Sequence, residues 1–298
     1  MIYRMKLQDE PFKQIKMGTK KIEIRLNDEK RKLIKTNDYI EFTNIKTLEI
    51  LFVQITNLYH FDSFKKLFEN FDNKILGGGS YEKMYNYYSK KDENKYGIIG
   101  IEINNILNVK QIIHNEDNLT LMDANRVTRR AKLIVENNKS EILLCQMGTN
   151  YFLIGGHVDN DESDEECLLR EVYEETGVKL DFSNILPIAC SNYINKDYPE
   201  KGTNTYTNSN YYYLKYDLIF NIKNQHLTNE ELKGNFKLMY VSKNKIIDFL
   251  NDKLLTCQRK GTLIDTIMAI NVYLNLQKWW IPCYNYYGRS YEKSKFNI

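Results

Sequence analysis

The sequence predicts an α+β protein of two domains, a small N-terminal β-barrel with flanking helices followed by a C-terminal α/β/α sandwich. At 298 residues the chain is long enough for two domains with separate cores. Strand-like and helical stretches alternate along it, and a polar stretch at 109–118 separates two such series. We therefore expect the first domain over residues 1–110 and the second over residues 125–298.

The first domain is predicted from short alternating strands around one core. Its expected elements are a helix at 10–18, strands at 21–26, 38–43 and 48–56, a helix at 63–71, a glycine loop at 77–79 and a closing strand at 98–103. Within the strand at 21–26, Lys21, Glu23 and Arg25 alternate with apolar residues. Those three charged side chains should share one face of the strand, because side chains two residues apart point the same way.

The second domain is predicted from strands that precede and follow one short helix. Its expected elements are strands at 131–135, 141–145 and 151–154, a helix at 164–176, a polar loop at 195–210, a strand at 211–220, and helices near 245–254 and 262–276. The tyrosines at 211–216 either stack on a nucleobase or fill a strand face, and we expect the second. Arg129 and Arg130, just before the first strand, either contact a phosphate or cap a sheet edge.

The helix at 164–176 carries the strongest local signals in the chain. Ser163 and Glu166 have the spacing of a capping box, which satisfies free N–H groups at a helix start. Gly177 supplies the residue at which the helix ends. Leu168, Leu169 and Val172 lie on one side of this helix, and we expect them to pack on the core.

Three acids occupy the other side of this helix. At ~100° per residue, Glu171, Glu174 and Glu175 fall within a ~100° sector, where like charges repel. Clustered carboxylates are hard oxygen ligands of the kind that Mg²⁺ or Mn²⁺ takes alongside phosphates. Arg170 can pair with Glu174 or with Glu162 in the preceding loop, so we interpret it as a positioning residue. The alternative is a solvated acidic helix without a metal role.

The stretch GGHVDNDESDEECLLREVYEETGV at 155–178 resembles the Nudix box at every defined position. The resemblance implies metal ligands at Gly155, through its carbonyl, and at Glu171, Glu174 and Glu175, with catalytic roles for these glutamates and for Arg170. It implies a Mg²⁺- or Mn²⁺-dependent hydrolase acting on acid anhydrides, which cleaves the pyrophosphate of a nucleoside diphosphate linked to another moiety.

Some Nudix members use a glutamate from a later loop as base or extra ligand. Glu230 and Glu231 lie at about that distance downstream, and we take Glu231 as the catalytic candidate. His157 in the box loop is a candidate substrate contact. Ile154 stands where many members have proline, and we expect only a local effect on the loop.

The segment MKLQDEPFKQIKMGTKKIEIRLNDEKRKLIKTNDYIEFTN near the N-terminus resembles the ASCH domain, a relative of the PUA barrels. The resemblance implies a pocket lined by Lys20, Glu23 and Arg25 that binds a nucleotide or RNA. In ASCH-like amidohydrolases of acetylated cytidine a threonine stands where this chain has Glu23, so we favour binding over catalysis. The alternative is a strand whose charged face is simply solvated.

Composition bounds the remaining possibilities. The formal net charge is +3, which is close to balance. Five cysteines show no CxxC spacing and an odd count, so we expect reduced thiols and a cytoplasmic protein. The N-terminal stretch is charged and holds no apolar run, which predicts neither a signal peptide nor a membrane partner. The tail has Trp279, Trp280, Tyr284, Tyr286 and Tyr287, which we expect to pack on a domain or a second subunit.

Two functions of different class stay open on the sequence alone. In the first, a Nudix hydrolase has an ASCH-like domain for nucleotide or RNA recognition. In the second, the protein is a non-catalytic sensor module that binds a nucleotide or RNA. The substrate is equally open, between dinucleoside polyphosphates, ADP-ribose-like molecules, nucleoside triphosphates and capped RNA ends, because recognition in this fold depends on loops outside the box.

Overall fold

The computed structural model describes residues 1–159, 161–182 and 185–278. The chain divides into two compact units. Unit 1 contains Met1–Val127 together with Asn192–Tyr206, and unit 2 contains Thr128–Ser191 and the chain from Thr207 onward. Both units mix helices and strands, which confirms the predicted α+β class.

Unit 1 is built on a five-stranded sheet that curls like half a barrel. Its strands are β1 (Ile2–Leu7), β2 (Ile22–Leu26), β3 (Tyr39–Asn44), β4 (Ile50–Phe61) and β5 (Ile98–Leu107). They lie in the order β1-β3-β4-β5-β2. β1 is parallel to β3, whereas the other neighbours are antiparallel. The sequence had not indicated β1, since its pairing partner lies more than thirty residues away.

Four short helices cover this sheet: α1 (Asp9–Lys16), α2 (Phe64–Asn70), α3 (Asn73–Leu76) and α4 (Lys90–Tyr96). Phe12 and Ile15 of α1 are buried in a core with the apolar residues of β3, β4 and β5. Phe64 and Leu67 of α2 pack with Ile22 and Ile24 of β2 in a second cluster. The two clusters lie on the apolar faces of one sheet, so the unit has a core of its own.

The segment predicted as an interdomain linker contains a further strand, β6 (Lys110–His114). The ring of His114 stacks on that of Tyr193 with centroids 4.6 Å apart, and both residues belong to unit 1. The segment Asn192–Tyr206 also belongs to unit 1. Nothing in the local sequence indicates this, because the assignment depends on long-range contacts.

Unit 2 is a sheet between two layers of helix. The strands of this sheet are β7 (Arg126–Glu136), β8 (Glu141–Met147), β9 (Asn150–Phe152), β10 (Ala189–Asn195), β11 (Thr205–Lys215) and β12 (Lys237–Ser242), and one end of β7, β10 and β11 is counted with unit 1. β12, β8, β7, β11 and β10 are neighbours in that order, and β9 pairs with β8. Its helices are α5 (Asp164–Thr176), α6 (Asn229–Lys233), α7 (Ile246–Lys253) and α8 (Lys260–Lys278).

Successive side chains of β7 point to opposite faces of this sheet, and different helices pack on each face. Leu133 points to the side where Leu168 and Val172 of α5 pack. Ile134 points to the other side, where it joins buried residues of α7 and α8 such as Leu250 and Ile270. These two clusters confirm the predicted α/β/α sandwich.

The tyrosine stretch belongs to the core of unit 2. Tyr211 and Tyr212 are buried on β11, and Tyr213 stacks on Tyr273 with ring centroids 4.6 Å apart. The interpretation of these rings as strand-face filling is therefore confirmed. The predicted loop at 195–210 is shorter than expected, because β11 already begins at Thr205.

The remaining expectations concern cysteines, membrane spans and the tail. Cys145, Cys167, Cys190 and Cys257 are free, buried thiols. Among the described residues, no helix is long and apolar enough to cross a membrane. The tail aromatics Trp279, Trp280, Tyr284, Tyr286 and Tyr287 lie outside the described residues, as does Cys283.

Candidate active site

Helix α5 forms as its sequence predicts. The Ser163 hydroxyl accepts a hydrogen bond from the Glu166 N–H at 3.2 Å, and the Glu166 carboxylate accepts one from the Ser163 N–H at 2.8 Å. Gly177 ends the helix in the left-handed conformation, with φ of 69°. Both end signals are confirmed, so the helix begins and ends at residues that fix the placement of its acids.

The glycine pair before the helix allows two close approaches. Gly155 has φ of +115°, and a Cβ there would lie 2.3 Å from the carbonyl oxygen of Ala131 on β7. A Cβ on Gly156 would lie 2.0 Å from Oε1 of Glu171. Any side chain at these positions would displace the strand or the carboxylate, so the glycines hold the acid against the backbone.

Glu175 is the most enclosed acid of the site. It is 3% exposed, and its Oε2 accepts hydrogen bonds from the Gly155 N–H at 3.3 Å and the Cys145 thiol at 3.6 Å. Burial raises the pKa of Glu175 to about 8, although the nearby Lys132 ammonium opposes the rise. Burial likewise raises the pKa of Glu171, against the opposing effect of Arg170. Both acids therefore lie where a bound cation would stabilise their charged forms.

Arg170 binds several groups around these acids. Its guanidinium forms a two-point pair with Glu162, at 2.8 and 2.9 Å, and contacts Glu171 at 2.8 Å and Glu174 at 3.1 Å. It also donates to the His157 carbonyl oxygen at 3.0 Å. Burial alone would raise the pKa of Glu162, but the hydrogen bonds from Arg170 lower it. Arg170 thus ties the helix to the loop before it.

The acids line a cavity of about 370 Å³ that also has cationic residues in its lining. Glu171, Glu174 and Glu175 contribute the acids of α5. Besides Arg170, the cationic residues Arg130, Lys132 and Arg259 line it. The sequence interpretation missed Lys132 and Arg259. A charged residue within the apolar strand at 131–135 was a usable signal for Lys132, whereas nothing local marks Arg259.

Lys132 and Phe152 lie beside the glycine pair. The Lys132 ammonium donates a short hydrogen bond to the Gly155 carbonyl oxygen. It also lies 5.5 Å from the centre of the Phe152 ring, within the range of a cation–π interaction. A cation is thus already placed at the backbone oxygen that the resemblance names as a metal ligand.

Glu230 and Glu231, the two glutamates downstream of the box, line the same cavity. They lie on helix α6, although the sequence also allowed a loop here. The helix forms at this point because Thr228 and Glu231 make a second capping box. The Glu231 carboxylate accepts from the Thr228 N–H at 2.7 Å and from the Thr228 hydroxyl at 2.9 Å. His157 is also a lining residue. The structure therefore brings Glu230, Glu231 and His157 to the predicted site.

Arg129 and Arg130 have separate environments because they point to opposite faces of β7. Arg129 pairs with Asp164, the first residue of α5, at 3.3 Å. The same carboxylate accepts hydrogen bonds from the Tyr212 hydroxyl at 2.6 Å and from the Asn210 amide at 3.0 Å. Arg129 is therefore an anchor of the helix, whereas Arg130 lies in the cavity.

The donor set fits a hard divalent cation in its chemistry. Glu171, Glu174 and Glu175 offer carboxylate oxygens and Gly155 offers a carbonyl oxygen, which are the ligand types of Mg²⁺ and Mn²⁺. The absence of a Cβ on Gly156 keeps the Glu171 carboxylate at the glycine pair. In the described ranges no group of three or more His, Cys, Asp or Glu side chains is arranged so that it could hold a metal ion as it stands. The fit therefore depends on oxygen chemistry and position.

Unit 1 contains a second, larger cavity of about 590 Å³. Its lining includes the three predicted pocket residues, Lys20, Glu23 and Arg25, together with the glycine loop and the rings of Tyr87 and Tyr88. Arg25 pairs with Glu23 at 3.0 Å and donates to the Lys6 carbonyl oxygen at 3.0 Å. Lys20 donates to the Leu76 carbonyl oxygen at 2.9 Å and lies 3.4 Å from Oε2 of Glu23.

The charged face of β2 is not simply solvated. Glu23 is 3% exposed, and its Oε2 is buried without a hydrogen-bond partner in the described part of the chain. Lys21, by contrast, is exposed. A buried carboxylate oxygen without a hydrogen bond carries a free-energy penalty, which the charge of the Lys20 ammonium at 3.4 Å offsets only in part.

The fold and both cavities agree with the comparisons to known families. Residues 127–247 match the NUDIX domain, and residues 5–107 match the ASCH domain. The chain therefore contains a NUDIX domain, with an ASCH domain ahead of it. Its C-terminal domain is of the Nudix hydrolase class.

Several solved structures resemble one part of the chain or the other. The crystal structure of hypothetical protein PH0355 is 38% identical, covers 35% of this chain and 97% of its own, and has a TM-score of 0.31. Protein PF0455 from Pyrococcus furiosus is 34% identical over 36% of this chain and 99% of its own, with a TM-score of 0.29. The MutT protein from Methanosarcina mazei Go1 is 22% identical over 50% of this chain and 96% of its own, with a TM-score of 0.31. No curated protein matches the chain.

Proposed function

We propose that the protein is a Mg²⁺-dependent Nudix pyrophosphohydrolase that cleaves the pyrophosphate of a nucleoside diphosphate linked to another moiety. The observation that carries this proposal is the cavity of unit 2, where the acids of α5 share one lining with four cationic residues. Acids alone would repel a phosphate, and cations alone would hold no metal. A cavity with both suits a substrate that binds through a metal and through its own negative charge.

The residues of the chain have separable roles in this reaction. Glu171, Glu174 and Glu175, with the Gly155 carbonyl, would hold the metal ion, and Arg170 keeps these acids in place. A divalent cation there would neutralise charge on the pyrophosphate and favour ionisation of the attacking water. Glu231 lies on α6 at the same cavity and is the candidate base, since one of its oxygens is held by Thr228 and the carboxylate is thereby oriented.

The test is the release of phosphate or nucleotide from a panel of substrates with and without Mg²⁺. The panel contains nucleoside triphosphates, nucleoside diphosphate sugars, dinucleoside polyphosphates and 5′-capped RNA. Glu175→Gln should abolish turnover, because the amide keeps the shape of the side chain but removes a buried charged oxygen ligand. Thermal unfolding should show that the variant is folded.

Glu165→Gln is the matched control. Glu165 lies on the same helix and does not line the cavity, so its change removes one charge without touching the site. The proposal predicts wild-type rates for this control. Wild-type rates in Glu175→Gln would disprove the metal assignment, whereas tight binding without any metal-dependent turnover would favour the sensor function.

We propose further that the ASCH domain recognises a nucleotide or RNA. The specific observation is Oε2 of Glu23, which is buried beside Lys20 and Arg25 in the cavity of unit 1 and lacks a hydrogen-bond donor. Nucleobases carry amino and imino N–H donors and present flat faces, and Tyr87 and Tyr88 in the lining are suited to stacking. Lys20 and Arg25 offer positive charge for a phosphate.

Equilibrium binding of labelled RNA oligomers and of free nucleotides tests this second role. Lys20→Ala with Arg25→Ala should weaken binding without changing hydrolysis of a small substrate by the Nudix domain. Because both residues also bond to backbone carbonyls, Glu23→Gln is the milder variant, and Glu29→Gln, which alters an exposed acid of the same unit, is its control. Unchanged binding in folded variants would exclude this pocket.

A further inference from the structure

Arg130 and Arg259 differ from the other arginine of the active-site cavity in having no acidic partner. Arg170 is surrounded by Glu162, Glu171 and Glu174. Arg130 and Arg259 form no ion pair within 4.0 Å in the part of the chain that the structure describes. The cavity therefore contains one neutralised arginine and two with uncompensated charge.

Of the two arginines, Arg130 carries the larger desolvation penalty, because it is the more buried. It is half-buried, and its Nε is enclosed without a hydrogen-bond partner among the described residues. Arginine is rarely withdrawn from water unless it is paired, because an unpaired buried donor loses the hydrogen bonds that water supplied. Asp265 lines a small adjoining cavity with Arg130, but its carboxylate is hydrogen-bonded by the Ser191 hydroxyl at 3.5 Å.

Arg259 is fixed through its backbone and keeps its side chain available. Its N–H donates to the side chain of Asn150 at 2.9 Å, and Asn150 is itself buried at the start of β9. The residue directly precedes α8 and is exposed. The backbone of Arg259 is thus anchored beside the cavity that its side chain lines, and Arg130 is the more buried of the two.

We propose that Arg130 and Arg259 bind a terminal phosphate of the substrate, and thereby select substrates that carry a further, unesterified phosphate group beyond the scissile pyrophosphate. This inference rests on the proposed pyrophosphohydrolase function, because the acids of α5 and their metal would take the pyrophosphate itself. The guanidinium groups of Arg130 and Arg259 form no ion pair among the described residues, so they are available to a second anionic group. With Lys132 they offer three positive charges, and a terminal phosphate group carries about −1.5 to −2 at neutral pH. The planar guanidinium forks also match phosphate oxygens in pairs.

The test compares two substrates with the same base, a nucleoside triphosphate and a nucleoside diphosphate sugar, of which only the first ends in an unesterified phosphate group. Arg130→Gln and Arg259→Gln should each lower kcat/KM for the triphosphate by about tenfold to a hundredfold, as for loss of charge-assisted hydrogen bonds. For the sugar the loss should stay within about threefold. Arg130→Lys should recover part of the loss, because it restores the charge without the fork.

Arg126→Gln is the matched control, since Arg126 lies exposed on the same strand and does not line the cavity. It should behave as wild type on both substrates. Thermal unfolding is followed for each variant, and Arg259→Gln provides a test at an exposed position if Arg130→Gln proves unstable. Equal losses on both substrates, or no loss on either, would overturn the proposal.

Binding of a non-hydrolysable nucleoside triphosphate analogue in the presence of Mg²⁺ separates this proposal from the proposed function. If no panel substrate is cleaved but the analogue binds and Arg130→Gln weakens that binding, the hydrolase assignment fails and the phosphate site stands. If Glu175-dependent cleavage occurs and the arginine variants do not discriminate, the phosphate site fails alone. If neither cleavage nor analogue binding occurs, both fail.

Discussion

Gly156→Ala provides the sharpest geometric test of the active site. The change adds one methyl group at a residue whose backbone φ is unstrained, so the backbone itself tolerates alanine. The new Cβ would lie 2.0 Å from Oε1, 2.4 Å from Cδ and 2.7 Å from Oε2 of Glu171. The carboxylate at the end of the Glu171 side chain occupies the space that the methyl group needs, so this side chain must turn away.

The required movement follows from these distances. An ordinary contact begins at 3.4 Å, so the Glu171 carboxylate must retreat by about 1.4 Å. That movement also disturbs its 2.8 Å pair with Arg170. Misplacement of a catalytic group by about 1 Å costs about a hundredfold in rate, so kcat/KM should fall by about that factor or more. The fold should survive, because the displaced group faces a cavity.

The assay is steady-state hydrolysis at saturating Mg²⁺, with Mn²⁺ titration to follow metal affinity and thermal unfolding to follow the fold. Gly261→Ala is the control, because a Cβ there meets no atom within 4 Å. The expected pattern is a loss of rate and of metal affinity in Gly156→Ala alone. A rate within about threefold of wild type, or an equal loss in Gly261→Ala, would refute the role given to the glycine–carboxylate contact.

Three other predictions follow from single contacts. Arg170→Lys should lower kcat/KM by about tenfold or more without unfolding the domain, because one ammonium cannot replace the two-point pair with Glu162 and the contacts to the acids; an unchanged rate would contradict this. Leu168→Ala should lower the free energy of unfolding by about 2–5 kcal/mol in chemical denaturation, since the side chain is fully buried, and a loss below about 1 kcal/mol would argue against its place in the core. Glu93 is buried; burial raises its pKa, but hydrogen bonds from Lys90, the Phe64 N–H and Tyr85 outweigh this and lower it. Because the folded-state pKa is lowered, the stability that Glu93 contributes is present at neutral pH and is lost as pH falls through the folded-state pKa. The difference in unfolding free energy between wild type and Glu93→Gln should therefore shrink from pH 7 to pH 3, and a constant difference would count against an ionised Glu93.

The helix of the Nudix box was predictable because its determinants are local. Ser163, Glu166 and Gly177 act within one turn of each end, so neither end depends on the rest of the chain. The spacing of Glu171, Glu174 and Glu175 follows from helix geometry in the same way. The apolar residues on its other side could be assigned to the core for the same reason.

Other features were beyond sequence reasoning because they depend on distant partners. β1 exists through its parallel pairing with β3, and the segment Asn192–Tyr206 joins unit 1 although it is flanked by residues of unit 2. Glu23 was placed on a charged strand face, but only the fold shows that its carboxylate is buried. Arg129 and Arg130 are adjacent in sequence, and only the sheet decides which one meets Asp164.

The sequence by itself determined the class of the domains, the ends of α5 and the acids that face its cavity, since these depend on residue identity and on spacings within one helix. Only the tertiary structure decided which cations face those acids. Arg130 and Lys132 come from β7 and Arg259 from the start of α8, more than a hundred residues later. Chain segments so far apart meet through the packing of sheet and helices, and no local spacing encodes that meeting.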